Sequence, residues 1–152
     1  MAAASATGPG RFTSAARSKA RRLAMQAFYQ WSMTAQEATD ILAQFLADED
    51  NRGVDAEYIE TMVRGVVQGH AALDAALAPK LARPLDEVDP VERAVLRVAA
   101  YELKHRLDVP YRVVLNEAVA LTKKFGAEQG HTFVNAALDK LARELRAVEM
   151  RG

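Results

Sequence analysis

Basic side chains are concentrated near the N-terminus of this sequence, where no acid offsets them. The first acidic residue is Glu37, and residues 1–36 carry a charge of +5 from Arg11, Arg17, Lys19, Arg21 and Arg22. Because the whole chain has 20 Lys and Arg against 20 Asp and Glu, residues 37–152 carry −5. A basic arm on a mildly acidic body indicates a polyanion as the ligand of the arm, and a solvated tail that aids solubility is the alternative.

Four of these bases lie at or just before the first turns of a predicted helix. The helix dipole disfavours cations at this end, by about 0.3–1 kcal/mol each at exposed sites, and a bound phosphate would explain their presence. Arg17 and Arg21 fall near one edge of the apolar stripe, whereas Lys19 and Arg22 point elsewhere. Such a cluster suits a flexible single strand better than the major groove of a duplex. The pair Lys123 and Lys124 forms a second basic spot, which the favourable placement of cations at a helix C-terminus explains equally well.

The search for catalytic chemistry finds almost nothing. The three histidines, His70, His105 and His131, are not spaced as metal ligands, and the chain has no cysteine. No glycine-rich phosphate loop or nucleophile elbow is present. The sequence therefore predicts a protein that is not an enzyme and that uses no metal or cofactor.

Two asparagines lie in apolar surroundings. Asn116 follows Val113–Leu115, and Asn135 lies between Phe133–Val134 and two alanines. A buried amide without partners costs about 1–3 kcal/mol. We therefore expect both side chains to be buried and to bond to neighbouring helix ends.

The apolar positions recur with the period of a helix along most of the chain, and no long segment alternates like a strand. We expect residues 1–15 to be a disordered extension and 16–150 to be one domain, an all-α bundle of about seven helices in two sub-bundles joined near 79–90. The expected helices are about 17–33, 35–48 capped by Thr34, 55–77 capped by Asp55 with a break near Gly69, 90–106 after Asp89–Pro90, one from Pro110 to a C′ glycine at Gly126, and one after Gly130. The helix after Pro90 is apolar on two faces, as is typical of a central helix.

Four strings carry a resemblance that covers nearly all of the chain after residue 15. They are ARSKARRLAMQAFYQW at 16–31, VERAVLRVAAYEL at 91–103, DVPYRVVLNEAVALTKKFG at 108–126 and HTFVNAALDKLA at 131–142. Together with their spacing they resemble the NusB family of bacterial transcription antitermination factors.

The resemblance implies an all-α, NusB-like fold of two sub-bundles and no catalysis or cofactor. It also implies binding of boxA, a single-stranded RNA element of ribosomal RNA leaders, together with the small-subunit ribosomal protein NusE. The pair would join NusA, NusG and RNA polymerase in a cytoplasmic antitermination complex. A homodimer formed through the partner surface is left open.

Particular residues of this chain match the functional segments of the family. The resemblance makes Arg17, Lys19, Arg21 and Arg22 the expected RNA-contacting bases. It places Tyr29, Glu92 and Gln129 on the partner-facing surface, with Gln129 in a loop at 126–133 near both RNA and partner. Gln129 replaces an acid common in the family. Phe133 in the same loop is either core or a platform for base stacking, and its place in the apolar stripe favours core.

Two other functions compete with this one. A protein-interaction bundle would use the arm only as a solubility tail and would have no affinity for RNA. A NusB-like domain of a ribosomal RNA methyltransferase would be followed by a catalytic domain, and the sequence ends at Gly152. No apolar run approaches the roughly 20 residues of a membrane helix, so we expect no membrane association.

Overall fold

The computed structural model describes residues 14–151, which are helical through most of their length. The described residues form seven α-helices: α1 Ser14–Met33, α2 Ala38–Ala47, α3 Ala56–Leu77, α4 Pro90–His105, α5 Tyr111–Phe125, α6 Gly130–Leu145 and α7 Ala147–Arg151. Short 3₁₀ turns lie at Glu49–Asn51, Ala78–Lys80 and Leu85–Glu87. The predicted all-α fold of about seven helices is confirmed.

The helices pack as two groups that share the central helix. Helices α1, α2 and α3 pack together on one side, and α5 and α6 pack together on the other. Helix α4 contacts α1, α3, α5 and α6, so both of its faces are covered. Its buried side chains include Val95 and Val98 on one face and Leu96 and Ala100 on the other. The two apolar faces predicted for this helix are therefore both used.

Two helix starts follow the capping signals in the sequence. The Asp89 carboxylate accepts hydrogen bonds from the backbone N–H groups of Val91 (2.9 Å) and Glu92 (3.3 Å), and Pro90 occupies the first helical position, where no N–H is needed. The Asp55 carboxylate accepts from the N–H of Tyr58 in the same way. Helix α3 runs without a break past Gly69, contrary to the expectation.

Several predicted boundaries are wrong, each for a local reason. Thr34 does not cap α2: its hydroxyl donates to the Gln30 carbonyl oxygen at the end of α1, and its oxygen accepts from the backbone N–H of Gln36, which lies in the loop before α2. Helix α2 begins at Ala38 after Glu37, which makes no side-chain cap. Gly126 ends α5 in an extended conformation (φ −88°) rather than in the left-handed one. The proposed disordered extension lies outside the described residues except for its last two, which belong to α1.

The chain after α6 is anchored by a buried arginine that sequence analysis missed. The Arg146 side chain is 3% exposed. Its guanidinium donates to carbonyl oxygens at the end of α4 and in the following loop, those of Glu102, Leu103, Arg106 and Val109. It thereby satisfies acceptors that a helix C-terminus leaves free. The predicted burial of Asn116 and Asn135 is wrong, since both are exposed on the outer faces of α5 and α6.

Candidate nucleic-acid interface

The structure separates the four bases expected to contact a polyanion. They lie on successive turns of α1, so their side chains leave the helix in different directions. Arg21 is 4% exposed, whereas Arg17, Lys19 and Arg22 are partly exposed. The cluster at one pole that the sequence predicts is therefore divided between the interior and the surface.

Arg21 lies inside the protein in a buried ion pair. Its Nε lies 2.9 Å from both carboxylate oxygens of Glu102 on α4, and its Nη1 lies 3.4 Å from Glu117 on α5. The Tyr58 hydroxyl donates to the same Glu102 carboxylate. Because these groups bind the guanidinium on the inside, the expectation that Arg21 contacts RNA does not fit its placement. Its role in the structure is to join α1 to α4 and α5.

The pKa values of this cluster follow from burial and from the close charges. Burial raises the pKa of Glu102, although the Arg21 guanidinium opposes that rise. Burial and the neighbouring Glu102 carboxylate raise the pKa of Tyr58 as well. Desolvation alone would lower the pKa of Arg21, but the combined attraction of Glu102, Tyr58 and Glu117 and the hydrogen bond to Glu102 outweigh it, and the net shift is upward. Arg21 therefore stays charged, and Glu102 depends on it for compensation.

Arg17 and Lys19 also hold α1 against the body of the protein. The Arg17 Nη2 lies 3.4 Å from an Asp55 carboxylate oxygen, and its guanidinium lies 3.9 Å from the centroid of the Tyr58 ring. The Lys19 ammonium donates to the Asp50 carbonyl oxygen. Both side chains keep part of their surface in solvent, so their charge contributes to the field around the start of α1.

Arg22 makes no hydrogen bond or ion pair with the described part of the chain, and it opens into a groove of about 600 Å³. The groove runs between α1, α2, the Glu49–Asn51 turn and the end of α5. Its walls combine two cations, two carboxylates, two phenyl rings and several polar groups: Arg22, Lys124, Asp48, Asp50, Phe45, Phe125, Gln26, Gln44, Asn51 and Leu23. Lys124 of the second basic spot is thus brought next to the N-terminal bases.

A smaller apolar pocket adjoins this groove. It has a volume of about 210 Å³ and is lined by Met25, Gln26, Tyr29, Val91 and Phe125. Gln26 and Phe125 line both spaces, so the pocket and the groove are neighbours along one face of α1. The predicted partner residue Tyr29 lies in this pocket and is partly exposed.

The loop between α5 and α6 lies next to the start of α4. Gln129 is exposed and has a φ of +68°, in the left-handed region that costs a residue with a side chain about 1–2 kcal/mol. Glu92 is 1% exposed, and its carboxylate accepts a hydrogen bond from the backbone N–H of Ala127 at 3.0 Å. Phe133 is half-buried, and the Arg83 guanidinium lies 4.1 Å from its ring centroid.

The groove contains residues that the sequence analysis did not assign to a site. Phe45 and Phe125 fall at helically spaced apolar positions of the sequence, a pattern that indicates core residues and not a binding site. Each ring nevertheless keeps part of its surface exposed. A sequence signal existed for Phe125, because it is the last residue of its helix and directly follows Lys123 and Lys124.

Comparisons with known proteins decide the family. The NusB family model matches residues 18–143 of the chain. A transcription antitermination protein NusB from Marinobacter nauticus is 52% identical over 135 residues, which are 89% of this chain and 85% of the relative. The chain belongs to the NusB family. It is accordingly a transcription antitermination factor and not an enzyme, as the sequence predicts.

Solved NusB structures share the fold. A NusB structure from T. maritima is 29% identical, has a TM-score of 0.77 and covers 84% of this chain and 91% of its own. A crystal structure of the antitermination factors NusB and NusE in complex with dsRNA is 25% identical, with a TM-score of 0.77, over 87% of this chain and 99% of its own. The predicted NusB-like architecture is confirmed.

The NusB resemblance placed Tyr29, Glu92 and Gln129 on a partner-facing surface, and in the structure these three side chains differ in exposure. Tyr29 and Gln129 have exposed surface. Glu92 does not, because its side chain turns under the α5–α6 loop. Among residues 14–151, no group of three acidic, histidine or cysteine residues is placed to hold a metal, and no helix is long and apolar enough to cross a membrane.

Proposed function

We propose that this chain binds the boxA RNA of ribosomal RNA leaders together with the ribosomal protein NusE. In this proposal the pair acts in the cytoplasm, within an antitermination complex that contains NusA, NusG and RNA polymerase. The observation that carries the RNA-binding step is the groove between α1, α2 and α5, where Arg22 and Lys124 lie in one lining with Phe45 and Phe125. The related NusB and NusE, solved in complex with dsRNA, support RNA and NusE as the ligand classes.

The groove chemistry favours an unpaired strand. Cations bind the phosphates without regard to sequence, whereas aromatic rings stack on bases that are free of a partner strand. A duplex would offer mainly phosphates and 2′-hydroxyls to the same surface. The proposed division of labour gives Arg22 and Lys124 the backbone and gives Phe45 and Phe125 the bases. Arg17 and Lys19 add charge at the edge, and Arg21 supports the helix from inside.

NusE is proposed to contact the face that carries Tyr29 and Gln129. Tyr29 lies in the apolar pocket next to the groove, and Gln129 lies at the tip of the adjacent loop. A partner on this face would lie beside an RNA in the groove, so that one strand could contact both proteins. The pair would then read the RNA with more base contacts than either protein offers alone.

The test is a titration of fluorescently labelled boxA RNA at several salt concentrations, with and without NusE. A scrambled single strand and a boxA duplex are the competing ligands. We expect selective binding of single-stranded boxA that tightens with NusE. Each cation–phosphate contact removed should reduce the slope of log K against log salt by about 0.7, the value for single strands.

Arg22→Ala and Lys124→Ala are the informative variants, and Arg64→Ala on α3 is the matched control. Arg64 is an exposed arginine outside the groove lining and pairs only at the surface with Glu60 at 3.8 Å. We expect weaker binding and a smaller slope for the first two variants and no change for the control. Equal binding by all three would contradict the groove as the RNA site. Absence of RNA affinity together with tight NusE binding would favour the protein-interaction bundle instead.

A further inference from the structure

Amide side chains form part of the groove lining, and the cation and ring contacts of the proposed function leave them unused. Gln26, Gln44 and Asn51 line the groove together with Phe45. Amides carry no charge, but each combines N–H donors with a carbonyl acceptor. Such groups can read the edges of bases in an unpaired strand, where no partner strand occupies the Watson–Crick edge. An amide can do so only if its nitrogen or its oxygen is not already used within the protein.

Gln44 presents its amide nitrogen to the groove because a neighbouring glutamine holds its oxygen. The Gln30 Nε2 donates to the Gln36 Oε1 at 2.7 Å and to the Gln44 Oε1 at 3.3 Å. Gln30 lies outside the groove lining, whereas Gln44 is exposed and lies in it. The Gln44 Nε2 has no hydrogen-bond partner among residues 14–151. Its two N–H donors are therefore left for a ligand.

Asn51 presents the opposite group, its amide oxygen. Its Nδ2 donates to the Phe45 carbonyl oxygen at 2.8 Å, which joins the 3₁₀ turn after α2 to that helix. The turn is fixed further, because the Asp48 carboxylate accepts from the Asp50 backbone N–H at 2.9 Å and the Lys19 ammonium donates to the Asp50 carbonyl oxygen. The Asn51 Oδ1 accepts no hydrogen bond from the part of the chain that the structure describes. It is therefore an available acceptor in a fixed position.

Phe45 connects the two amides. It directly follows Gln44, and its carbonyl oxygen is the acceptor that holds Asn51. Its ring is partly exposed and lines the groove. The lining therefore combines a surface for stacking with one oriented donor and one oriented acceptor. Gln26 differs, because no hydrogen bond with the described residues fixes which way its amide faces.

We propose that Gln44 and Asn51 determine base specificity at one position of the RNA, by binding the edge of an unpaired base that stacks on Phe45. The Gln44 Nε2 donates to a ring nitrogen or carbonyl oxygen of the base, and the Asn51 Oδ1 accepts from a neighbouring N–H or amino group. Because the protein already fixes both amides, little side-chain freedom is lost on binding. This inference rests on the proposed function, since it assigns the base-reading part of the same groove.

Base preference and salt dependence together separate base reading from phosphate binding. Anisotropy of labelled boxA RNA with NusE is measured for RNAs in which each boxA position is replaced in turn by the other three bases. Gln44→Ala and Asn51→Ala should each lower the preference at one and the same position by about tenfold, within the range of a good amide–base contact. The slope of log K against log salt should stay unchanged, because no cation is removed. Arg22→Ala should instead lower the slope and keep the preference.

Gln68→Ala and Asn135→Ala are the matched amide controls. Both residues are exposed and lie outside the groove lining. Each control variant loses the same side chain as its test variant. Both should therefore keep the base preference and the salt slope of the parent.

Gln44→Glu tests the direction of the hydrogen bond to the base. The substitution replaces the donor by a second acceptor beside the Asn51 Oδ1. Guanine offers two adjacent donors on its Watson–Crick edge, N1–H and the N2 amino group, whereas adenine N1 is an acceptor and would face the new carboxylate. The ratio of guanine affinity to adenine affinity at the position should rise by about tenfold, and a ratio cancels the general effect of the added negative charge.

Four results would overturn the inference. A base preference that survives both alanine substitutions would leave the groove as a phosphate site and the proposed function intact. Loss of preference at two different positions would show that the amides do not bind one base. An unchanged or lower guanine-to-adenine ratio in Gln44→Glu would show that Gln44 does not donate to the base. Absence of RNA binding by the parent would refute the proposed function and this inference with it. Circular dichroism checks that each variant is folded, and the two Gln44 variants decide the matter if Asn51→Ala is not.

Discussion

Arg21 and Arg22 are adjacent, chemically identical residues that the structure assigns to opposite roles, and alanine substitutions should separate them. Arg21→Ala leaves the Glu102 carboxylate, 2% exposed, without its cation. Removing one member of a buried ion pair costs about 3–5 kcal/mol of unfolding free energy, out of a total of about 5–15 kcal/mol. Arg22→Ala removes a side chain without a partner in the described part of the chain and should change stability by less than about 0.5 kcal/mol. For a chain of this size, the first change corresponds to a fall in Tm of about 6–20 °C.

The stability lost in Arg21→Ala should depend on pH in a defined direction. Without Arg21, burial should raise the folded-state pKa of Glu102 further above its ordinary value of 4.5. A raised folded-state pKa contributes stability that is present below the unfolded-state pKa and is lost as pH rises through the folded-state value. The deficit of Arg21→Ala relative to the parent should therefore grow as pH rises from about 4.5 to 7.

Urea unfolding of both variants across this pH range is the assay, with RNA anisotropy on the same samples. Arg21→Ala/Glu102→Gln should recover part of the lost stability, because it removes the uncompensated charge. Arg22→Ala should weaken RNA binding with an unchanged unfolding midpoint. Equal unfolding free energies for the two single variants, or a deficit of Arg21→Ala that does not depend on pH, would refute the reasoning.

Four further substitutions test local features. Gly65→Ala would place a Cβ 2.5 Å from the Tyr101 Cζ and should lower the unfolding free energy by about 1–3 kcal/mol. Gly69→Ala on the same helix meets no atom within 4 Å and should raise the unfolding free energy by up to about 1 kcal/mol. Urea unfolding measures both changes. Gln129→Gly should raise stability by about 1 kcal/mol in the same assay, because glycine adopts the positive φ without strain. Hydrogen bonds from the Tyr111 backbone amide and from Arg146 lower the pKa of Glu149. Its contribution to the free energy of unfolding is therefore present above its ordinary pKa of 4.5 and is lost as pH falls. Glu149→Gln should make the free energy of unfolding fall less steeply in acid, and an unchanged pH dependence would contradict the assignment.

The helices could be predicted from the sequence because their signals are local. Asp55 and Asp89 cap the two helices that they were expected to cap, and the apolar stripe of α4 appears on both faces as predicted. The prediction failed for two residues whose neighbours in the sequence were taken as their neighbours in space. Asn116 and Asn135 stand between apolar residues in the sequence, yet each lies on the outer face of its helix because helical neighbours in sequence point in different directions.

The division of the basic arm could not be predicted from α1 alone. Arg17 and Arg21 share an edge of the helix, and whether that edge faces solvent depends on what α3 and α4 bring to it. The helices bring acids: Asp55 for Arg17 and Glu102 for Arg21. Glu102 could have indicated that one of these cations is buried, because it is an acid within an otherwise apolar run of the central helix. A buried acid needs a cation, and the arm contains the cations.

The charges that line the groove explain why this chain would need a protein partner to bind RNA tightly. Arg22 and Lys124 line it together with Asp48 and Asp50, so the four charges cancel within one surface. A neutral lining draws little affinity from counterion release, because only cations that meet phosphates contribute to it. Two phenyl rings supply stacking of about 1–3 kcal/mol per base, which is modest for a specific complex. We therefore expect this chain alone to bind RNA weakly and with a shallow salt dependence. A steep slope for the isolated chain would contradict this argument and would move the RNA toward the more basic start of α1.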